Sequence, residues 1–252
     1  MLLAAGEGRR LRPFTQRVPK CMLPLAGKPL LEYNVERLAS FGVKEILINL
    51  FHLPHVVQDH FGDGHEWGVK IRYSLEKTLL GTAGGVGNAR WFFQEPFFVW
   101  YGDNLSTCNL RRFYQFHREK GGIASIALTY REEVSQSGIV SLDEQSQIPR
   151  FVEKPDPGDI FSHWVNVGLL VLEREVLDYV PRTRASDFGR DIFPSLLADQ
   201  RHLFGYQLSP DEGLWWIDRV QDLQRVQALL EGSCRSRIGG SSKSSRIDNS
   251  LS

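Results

Sequence analysis

The chain opens with a stretch that decides its fold, Leu3-Ala4-Ala5-Gly6-Glu7-Gly8-Arg9-Arg10-Leu11-Arg12-Pro13, and Pro19-Lys20 follows it. The apolar and small residues at its start predict a short buried strand that ends in a turn at the glycines. Glycines let backbone N–H groups approach phosphate oxygens closely, and the arginines and the lysine supply positive charge. The stretch therefore predicts a loop that binds a triphosphate.

This loop differs from the two common phosphate-binding patterns. The Walker pattern needs Gly-Lys-Ser/Thr, whereas Gly8 is followed by Arg9-Arg10. The dinucleotide pattern needs a third glycine at the position of Leu11. The sequence thus indicates a phosphate loop of another kind.

Strands and helices alternate through the first half of the chain. Apolar runs predict strands at residues 45–50, 70–74, 97–101 and 123–130, with helices at 30–41, 54–61, 83–92 and 110–120. This order predicts a largely parallel sheet with right-handed crossovers, whose ligands bind at the carboxyl ends of the strands.

Shorter elements follow from Gly138 onwards. Strands are predicted at residues 138–142, 150–153 and 165–172, which suggests an added sheet that folds over the site. Helices are expected at 175–180, 191–199 and 220–231, and a strand at 203–208. Residues 232–252 are dominated by Ser, Gly, Arg and Lys, so a disordered tail is expected there.

Two aspartates are candidates for a metal site. Asp103 follows an apolar strand and sits beside Gly102, where a carboxylate is well placed to hold a hard cation such as Mg²⁺. Asp218, which follows Trp215-Trp216-Ile217, is the best candidate for a second carboxylate.

Composition narrows the possible partners. The 252 residues contain 30 basic and 30 acidic side chains, so no overall charge favours nucleic acid or a membrane surface. No stretch is long and apolar enough to predict a membrane span. The three cysteines lack metal-ligand spacing and are typical of free thiols in a cytoplasmic protein.

The N-terminal stretch resembles the sugar-phosphate nucleotidylyltransferase motif G-x-G-x-R-L-x-P-x-T-x-x-x-P-K. Eight positions agree, namely Gly6, Gly8, Arg10, Leu11, Pro13, Thr15, Pro19 and Lys20. The resemblance implies a Rossmann-like three-layer α/β/α fold with a mostly parallel sheet, and a catalytic domain over residues 1–231. It also implies Mg²⁺ as cofactor, bound by Asp103 and Asp218. An NTP and a sugar 1-phosphate are the implied substrates.

The resemblance extends to individual site residues. Arg10 and Lys20 are expected to be catalytic, and the implied nucleotide-binding residues are Ala4, Ala5, Gly6, Glu7, Gly8, Arg9, Glu76, Gly81 and Thr82. Thr82 is also expected to cap the helix that opens at this turn. Phe151-Val152-Glu153-Lys154-Pro155 and Asn166-Val167-Gly168 resemble sugar-binding motifs. They imply sugar-phosphate contacts from Gly138, Glu153, Lys154 and Asn166. The chain departs from the family pattern at Arg219, where the usual sequel to the second aspartate is absent.

The resemblance leaves the substrate pair open. Residues 61–73, 80–85 and 187–194 are most similar to guanylyltransferases that act on mannose 1-phosphate or a heptose 1-phosphate. Glucose-1-phosphate thymidylyl- and uridylyltransferases share the same catalytic residues. A glycosyltransferase of related fold is disfavoured because Gly102-Asp103-Asn104 lacks Asp-x-Asp. A non-catalytic sugar-nucleotide-binding regulator and a homo-oligomeric assembly stay open.

Overall fold

Thirteen strands and six α-helices make up the described part of the chain. The computed structural model describes residues 1–239, with side chains to residue 232. The strands are β1 Leu2–Leu3, β2 Pro24–Leu25, β3 Lys28–Pro29, β4 Glu45–Leu50, β5 Lys70–Leu75, β6 Phe97–Tyr101, β7 Asn104–Ser106, β8 Ala124–Tyr130, β9 Gly138–Ser141, β10 Arg150–Glu153, β11 Trp164–Leu172, β12 Leu203–Gln207 and β13 Leu214–Trp216. The α-helices are α1 Leu30–Ser40, α2 Pro54–Phe61, α3 Gly81–Asn88, α4 Leu110–Lys120, α5 Phe193–Ala198 and α6 Val220–Gly239.

Within residues 1–239, nine strands form one twisted central sheet. Its main path runs β10-β9-β11-β6-β1-β4-β5, and β8 joins β11 to β12. The strands β5, β4, β1 and β6 pair in parallel, as do β8 and β12. The predicted α/β class with a parallel sheet at its centre is therefore confirmed.

Alternation along the strands creates two apolar faces. Ile46 and Ile48 of β4 pack into the cluster that holds α1, α2 and α4, whereas Leu47 packs into the cluster with α3 and α5. Successive strand residues point to opposite sides of a sheet, so both faces of this sheet need helices to cover them. The result is the expected three-layer α/β/α arrangement.

The second half of the chain differs in detail from the prediction. The strands β9 and β10 do not form a separate sheet but extend the central one, because β9 pairs antiparallel with β11 and β10 pairs antiparallel with β9. Two small antiparallel ribbons come from other strands, β2 with β3 and β7 with β13. The helix predicted at 191–199 begins as a π-helical turn, Phe188–Ile192, before α5.

The final helix continues beyond its predicted end. The helix α6 reaches Gly239, so the first part of the predicted tail is helical, and residues 240–252 lie outside the described residues. No helix in the described part of the chain is long and apolar enough to cross a membrane.

Candidate active site

The loop after β1 lies at the carboxyl edge of the central sheet, as predicted. Ala4 donates its backbone N–H to Asn49 Oδ1 at 2.9 Å, which fixes the start of the loop against the end of β4. Among residues 1–239, no acceptor pairs with the backbone N–H groups of Gly6, Glu7 and Gly8. These donors are available to an anion.

The fold of the loop depends on glycine at position 8. Gly8 has a φ of +60°, and a Cβ there would lie 2.8 Å from Thr15 Cγ2 and 2.9 Å from Lys20 Cβ. The Thr15 hydroxyl donates to the Gly8 carbonyl at 2.8 Å. The loop therefore closes against the side chain of Lys20, a contact that a larger residue at position 8 would prevent.

Lys20 lies between the two predicted metal ligands. Its Nζ is 2.6 Å from Asp103 Oδ2 and 2.7 Å from Asp218 Oδ1, and the side chain is only 10% exposed. Arg10 reaches the same Asp218 Oδ1 at 3.0 Å. The structure thus brings together four residues from distant parts of the sequence, and Lys20 and Asp218 alone are 198 positions apart.

The electrostatics of this cluster favour the charged forms. Burial alone would lower the pKa of Lys20, but Asp103 and Asp218 outweigh it and raise the pKa above its usual value. Burial alone would raise the pKa of Asp218, but Lys20 and Arg10 hold it below its usual range. The cluster is therefore a set of ion pairs.

The carboxylate pair fits a hard cation. Both aspartates direct an oxygen to one point, which the Lys20 ammonium occupies. Among the described residues, no group of three or more metal-ligating side chains converges. A Mg²⁺ ion at this pair would therefore complete its shell with phosphate oxygens and water, as Mg²⁺ commonly does.

A cavity of about 250 Å³ adjoins the cluster. The predicted nucleotide-binding residues that line it are Ala4, Ala5, Gly6, Glu76, Gly81 and Thr82, together with Lys20 and Asp103. Gly8 and Arg9 line a neighbouring cavity with Arg10 and Asp218. Arg9 forms an ion pair with Glu7 there, so both predicted loop residues are engaged with each other.

Glu76 is buried at the wall of the first cavity. Its Oε1 accepts from Asn49 Nδ2 at 2.7 Å, and its Oε2 accepts from the Leu80 N–H at 3.0 Å. A Cβ on Gly85 would lie 2.7 Å from Asn49 Nδ2, so this network requires glycine there. Sequence reasoning missed Asn49, although it is the one buried polar residue of β4.

The start of α3 is held by a segment that is distant in sequence. The Ser186 carbonyl accepts the N–H groups of Ala83 and Gly84, at 3.1 and 3.0 Å. Gly81 has a φ of +77°, and a Cβ there would lie 2.4 Å from the Ser186 carbonyl oxygen. The first turn of α3 is thus capped by a backbone carbonyl rather than by a side chain.

Thr82 does not cap the helix, contrary to the prediction. Its hydroxyl donates to Asp187 Oδ2 at 2.7 Å and accepts the Phe188 N–H at 2.9 Å. Burial raises the pKa of the nearby Tyr101, and the Asp187 charge adds to this shift. Asp187 therefore links the nucleotide side of the site to the π-helical turn, a role that the sequence did not predict.

Two of the predicted sugar-phosphate residues lie together. A Cβ on Gly138 would be 2.6 Å from Glu153 Oε2, and one on Gly189 would be 2.4 Å from the same atom. Burial, and then the charge of Asp187, raise the pKa of Glu153. Among the described residues, no side chain forms a hydrogen bond with the Glu153 carboxylate. It can therefore accept hydrogen bonds from a ligand.

The other two sugar-phosphate candidates occupy irregular backbone. Lys154 is exposed and has a φ of +51° directly after β10. Asn166 lies at a break in the register between β11 and β8, and its Oδ1 accepts the Gly168 N–H at 2.9 Å. Its amide oxygen thus stabilises the backbone at this irregularity, and its amide nitrogen can donate a hydrogen bond to a ligand.

The fold and site define a class of α/β proteins in which a glycine-rich loop at the carboxyl edge of the sheet faces a lysine and two carboxylates. The chain belongs to the nucleotidyl transferase family, whose model matches residues 1–231. The resemblance of the N-terminal motif is thereby confirmed.

Two curated relatives are named for different nucleotides. A UTP--glucose-1-phosphate uridylyltransferase from Synechocystis sp. is 38% identical over 91% of this chain and 63% of its own length. A mannose-1-phosphate guanylyltransferase from Mycobacterium tuberculosis is 35% identical over 92% of this chain and 63% of its own length. The chain thus spans about 63% of the length of these relatives.

A solved structure shares the fold. A putative glucose-1-phosphate thymidylyltransferase from Bacillus anthracis superimposes with a TM-score of 0.81 at 22% identity. The match covers 90% of this chain and 93% of that one. At this identity the likeness concerns the fold alone.

Proposed function

We propose that this chain transfers a nucleotidyl group from an NTP to a sugar 1-phosphate and releases pyrophosphate. The observation that carries the proposal is the position of Lys20. It is buried between Asp103 and Asp218, beside a loop in which the N–H groups of residues 6–8 have no acceptor among the described residues. The family membership and the names of the relatives support the same reaction.

The reaction requires alignment and charge neutralisation rather than a general base. An oxygen of the sugar phosphate attacks the α-phosphorus, the new O–P bond forms, and the bond to the β-phosphate oxygen breaks as pyrophosphate leaves. The attacking oxygen is already an anion, so no proton has to be removed.

Each cationic residue would exchange its carboxylate partner for phosphate. Lys20 and Arg10 would turn from Asp103 and Asp218 towards the α- and β-phosphates, while the N–H groups of residues 6–8 bind the triphosphate. Mg²⁺ held by Asp103 and Asp218 would supply Lewis-acid neutralisation of the phosphate charge.

The sugar phosphate would bind on the other side of Tyr101. The free carboxylate of Glu153 can accept hydrogen bonds from two sugar hydroxyls, and glycines at positions 138 and 189 leave room beside it. Lys154 would contribute a positive charge to the phosphate.

Glu76 favours guanine as the base. A carboxylate only accepts hydrogen bonds, and guanine offers two adjacent donors, N1–H and N2–H. Uracil and thymine offer one N–H that lies between two carbonyl oxygens, and a carboxylate repels those oxygens. The bonds from Asn49 and Leu80 fix the Glu76 carboxylate at the cavity wall. GTP is therefore the proposed nucleotide, and mannose 1-phosphate or a heptose 1-phosphate is proposed as the sugar from the sequence resemblance of residues 61–73, 80–85 and 187–194.

Pyrophosphate release tests the proposal directly. The full chain is assayed with Mg²⁺ and each of GTP, UTP, dTTP, CTP and ATP against mannose, heptose and glucose 1-phosphates. Release with GTP supports the whole proposal, whereas release with UTP or dTTP and glucose 1-phosphate overturns the choice of substrates. Nucleotide binding without release for any pair overturns the reaction and supports a regulatory protein.

The variant Glu76→Gln tests the base contact separately. We expect the ratio of kcat/KM for GTP over UTP to fall about 10- to 100-fold, because a hydrogen bond to a charged group is lost. An unchanged ratio would show that Glu76 does not contact the base. Thermal unfolding of the variant controls for the altered bonds to Asn49 and Leu80.

A further inference from the structure

Arg219 directly follows the second aspartate of the site and departs from the family pattern. It lines an open cavity of about 620 Å³ with Arg10, Val220 and Gln221. Its side chain is exposed, and no carboxylate among residues 1–239 lies within ion-pair distance of its guanidinium. Arg219 therefore contributes to the cavity that Arg10 lines a positive charge with no ion-pair partner among the described residues.

The backbone of Arg219 is held firmly at the start of α6. Asp222 Oδ2 accepts the N–H groups of Asp218 and Arg219, at 3.1 and 2.9 Å. This carboxylate fixes the turn that carries both residues. The Arg219 side chain therefore leaves the chain at a defined point next to the ion-pair cluster.

Three cavities follow one another through shared residues. The cavity at Glu76 shares Gly6, Lys20 and Asp103 with the cavity at the loop. The loop cavity in turn shares Arg10 with the cavity at Arg219. A nucleotide whose base lies near Glu76 would extend its triphosphate past Lys20 and Arg10 towards Arg219.

Arg219 differs from the other cations that line these three cavities. Arg9 is paired with Glu7, Arg10 with Asp218, and Lys20 with both metal-site aspartates. Each of these cations must give up a carboxylate to bind phosphate. Among the described residues, Arg219 has no carboxylate partner to give up.

We propose that Arg219 binds the terminal phosphates of the NTP and holds pyrophosphate as it leaves. This inference rests on the proposed function and assigns the pyrophosphate end of the same site. Arginine suits the task because its planar fork of donors binds two phosphate oxygens at once. In this proposal the Arg219 side chain contacts the leaving pyrophosphate directly and takes no part in proton transfer.

Steady-state kinetics of Arg219→Gln tests the inference. In the reverse reaction, the KM for pyrophosphate should rise about tenfold, the effect expected from one charge-assisted hydrogen-bond pair. The KM for the NTP should rise similarly, and the KM for the sugar 1-phosphate should stay unchanged. Arg219→Lys should recover part of the loss. An unchanged KM for pyrophosphate would overturn the inference. So would a KM for the sugar 1-phosphate that rises as much as the KM for the NTP.

Arg225→Gln is the matched control. Arg225 lies on α6, which begins directly after Arg219; its side chain is 59% exposed, with Asp222 Oδ1 at 3.9 Å. It lines none of the three cavities described above. Its loss should leave both KM values unchanged.

Calorimetry separates this inference from the proposed reaction. Magnesium pyrophosphate is titrated into the wild-type chain, Arg219→Gln and Arg225→Gln. Binding that weakens about tenfold in Arg219→Gln alone supports the anion subsite even if no substrate pair turns over. Equal affinities in all three chains would refute the subsite even if the reaction is confirmed.

Discussion

Replacement of Lys20 by methionine is the most informative single change. Methionine keeps an unbranched side chain against Gly8 but removes the charge between Asp103 and Asp218. Breaking a buried ion pair costs about 3–5 kcal/mol, and breaking an exposed one about 0–1 kcal/mol. The two carboxylates are 37% and 33% exposed, so solvent screens part of the loss. We expect a loss of about 2 kcal/mol in the free energy of unfolding.

This loss corresponds to a fall in Tm of about 4–8 °C for a domain of this size. Mg²⁺ should then stabilise the variant more than the wild type, because no ammonium competes for the carboxylate pair. A cation at 100 times its Kd adds about 2.7 kcal/mol. Turnover should nevertheless fall by about 10²- to 10³-fold, because the metal cannot replace the charge that Lys20 gives to the phosphates.

Differential scanning fluorimetry with and without Mg²⁺ measures the two shifts in Tm, and pyrophosphate release measures turnover. Lys70→Met, which removes an exposed lysine from β5, is the control and should change neither quantity. If Mg²⁺ raises the Tm of Lys20→Met no more than that of the wild type, the aspartates do not form a cation site. Turnover like that of the wild type would refute the role of Lys20.

Two further changes test how the fold supports the site. Gly81→Ala should lower the free energy of unfolding by about 2–4 kcal/mol in urea titrations, because its Cβ would lie 2.4 Å from the Ser186 carbonyl oxygen. Gly68 has a similar φ but open space around it, so Gly68→Ala should lower the free energy of unfolding by only about 1 kcal/mol. Equal losses in the two variants would show that the contact with Ser186 does not matter. Burial lowers the pKa of His117 despite its contact with Glu173. As the pH falls below about 6.5, the imidazole of the unfolded chain therefore takes up a proton more readily than the imidazole of the folded chain. The free energy of unfolding should therefore fall more steeply between pH 6.5 and pH 5 in the wild type than in His117→Gln, and parallel curves would refute this.

The sequence predicted best the elements whose limits are set locally. The bounds of β4, β6, α2 and α4 agree with the prediction at both ends. Apolar runs and flanking Gly, Pro and Asn residues determine those limits. The strands β9 and β10 were predicted as strands but placed in a separate sheet, because the pairing of β9 with β11, which joins them to the central sheet, depends on contacts distant in sequence.

The same distinction applies to the site. The loop and the aspartates were found because their spacing and neighbours form motifs, and the structure brings Lys20, Asp103 and Asp218 together. Asn49 and Asp187 were missed because their roles arise from hydrogen bonds across 27 and 105 positions. A lone asparagine within an apolar strand is the one local sign that such a buried network exists.

The balance of charge in the site explains why metal and nucleotide should bind together. A metal ion alone would be repelled by Lys20 and Arg10, which already neutralise Asp103 and Asp218. A triphosphate alone would meet those carboxylates beside the cations that it needs. If both entered, the carboxylates would hold the metal, the cations would bind the phosphates, and every charge would keep a partner. We therefore expect each ligand to raise the affinity of the other to the same extent, as linkage requires.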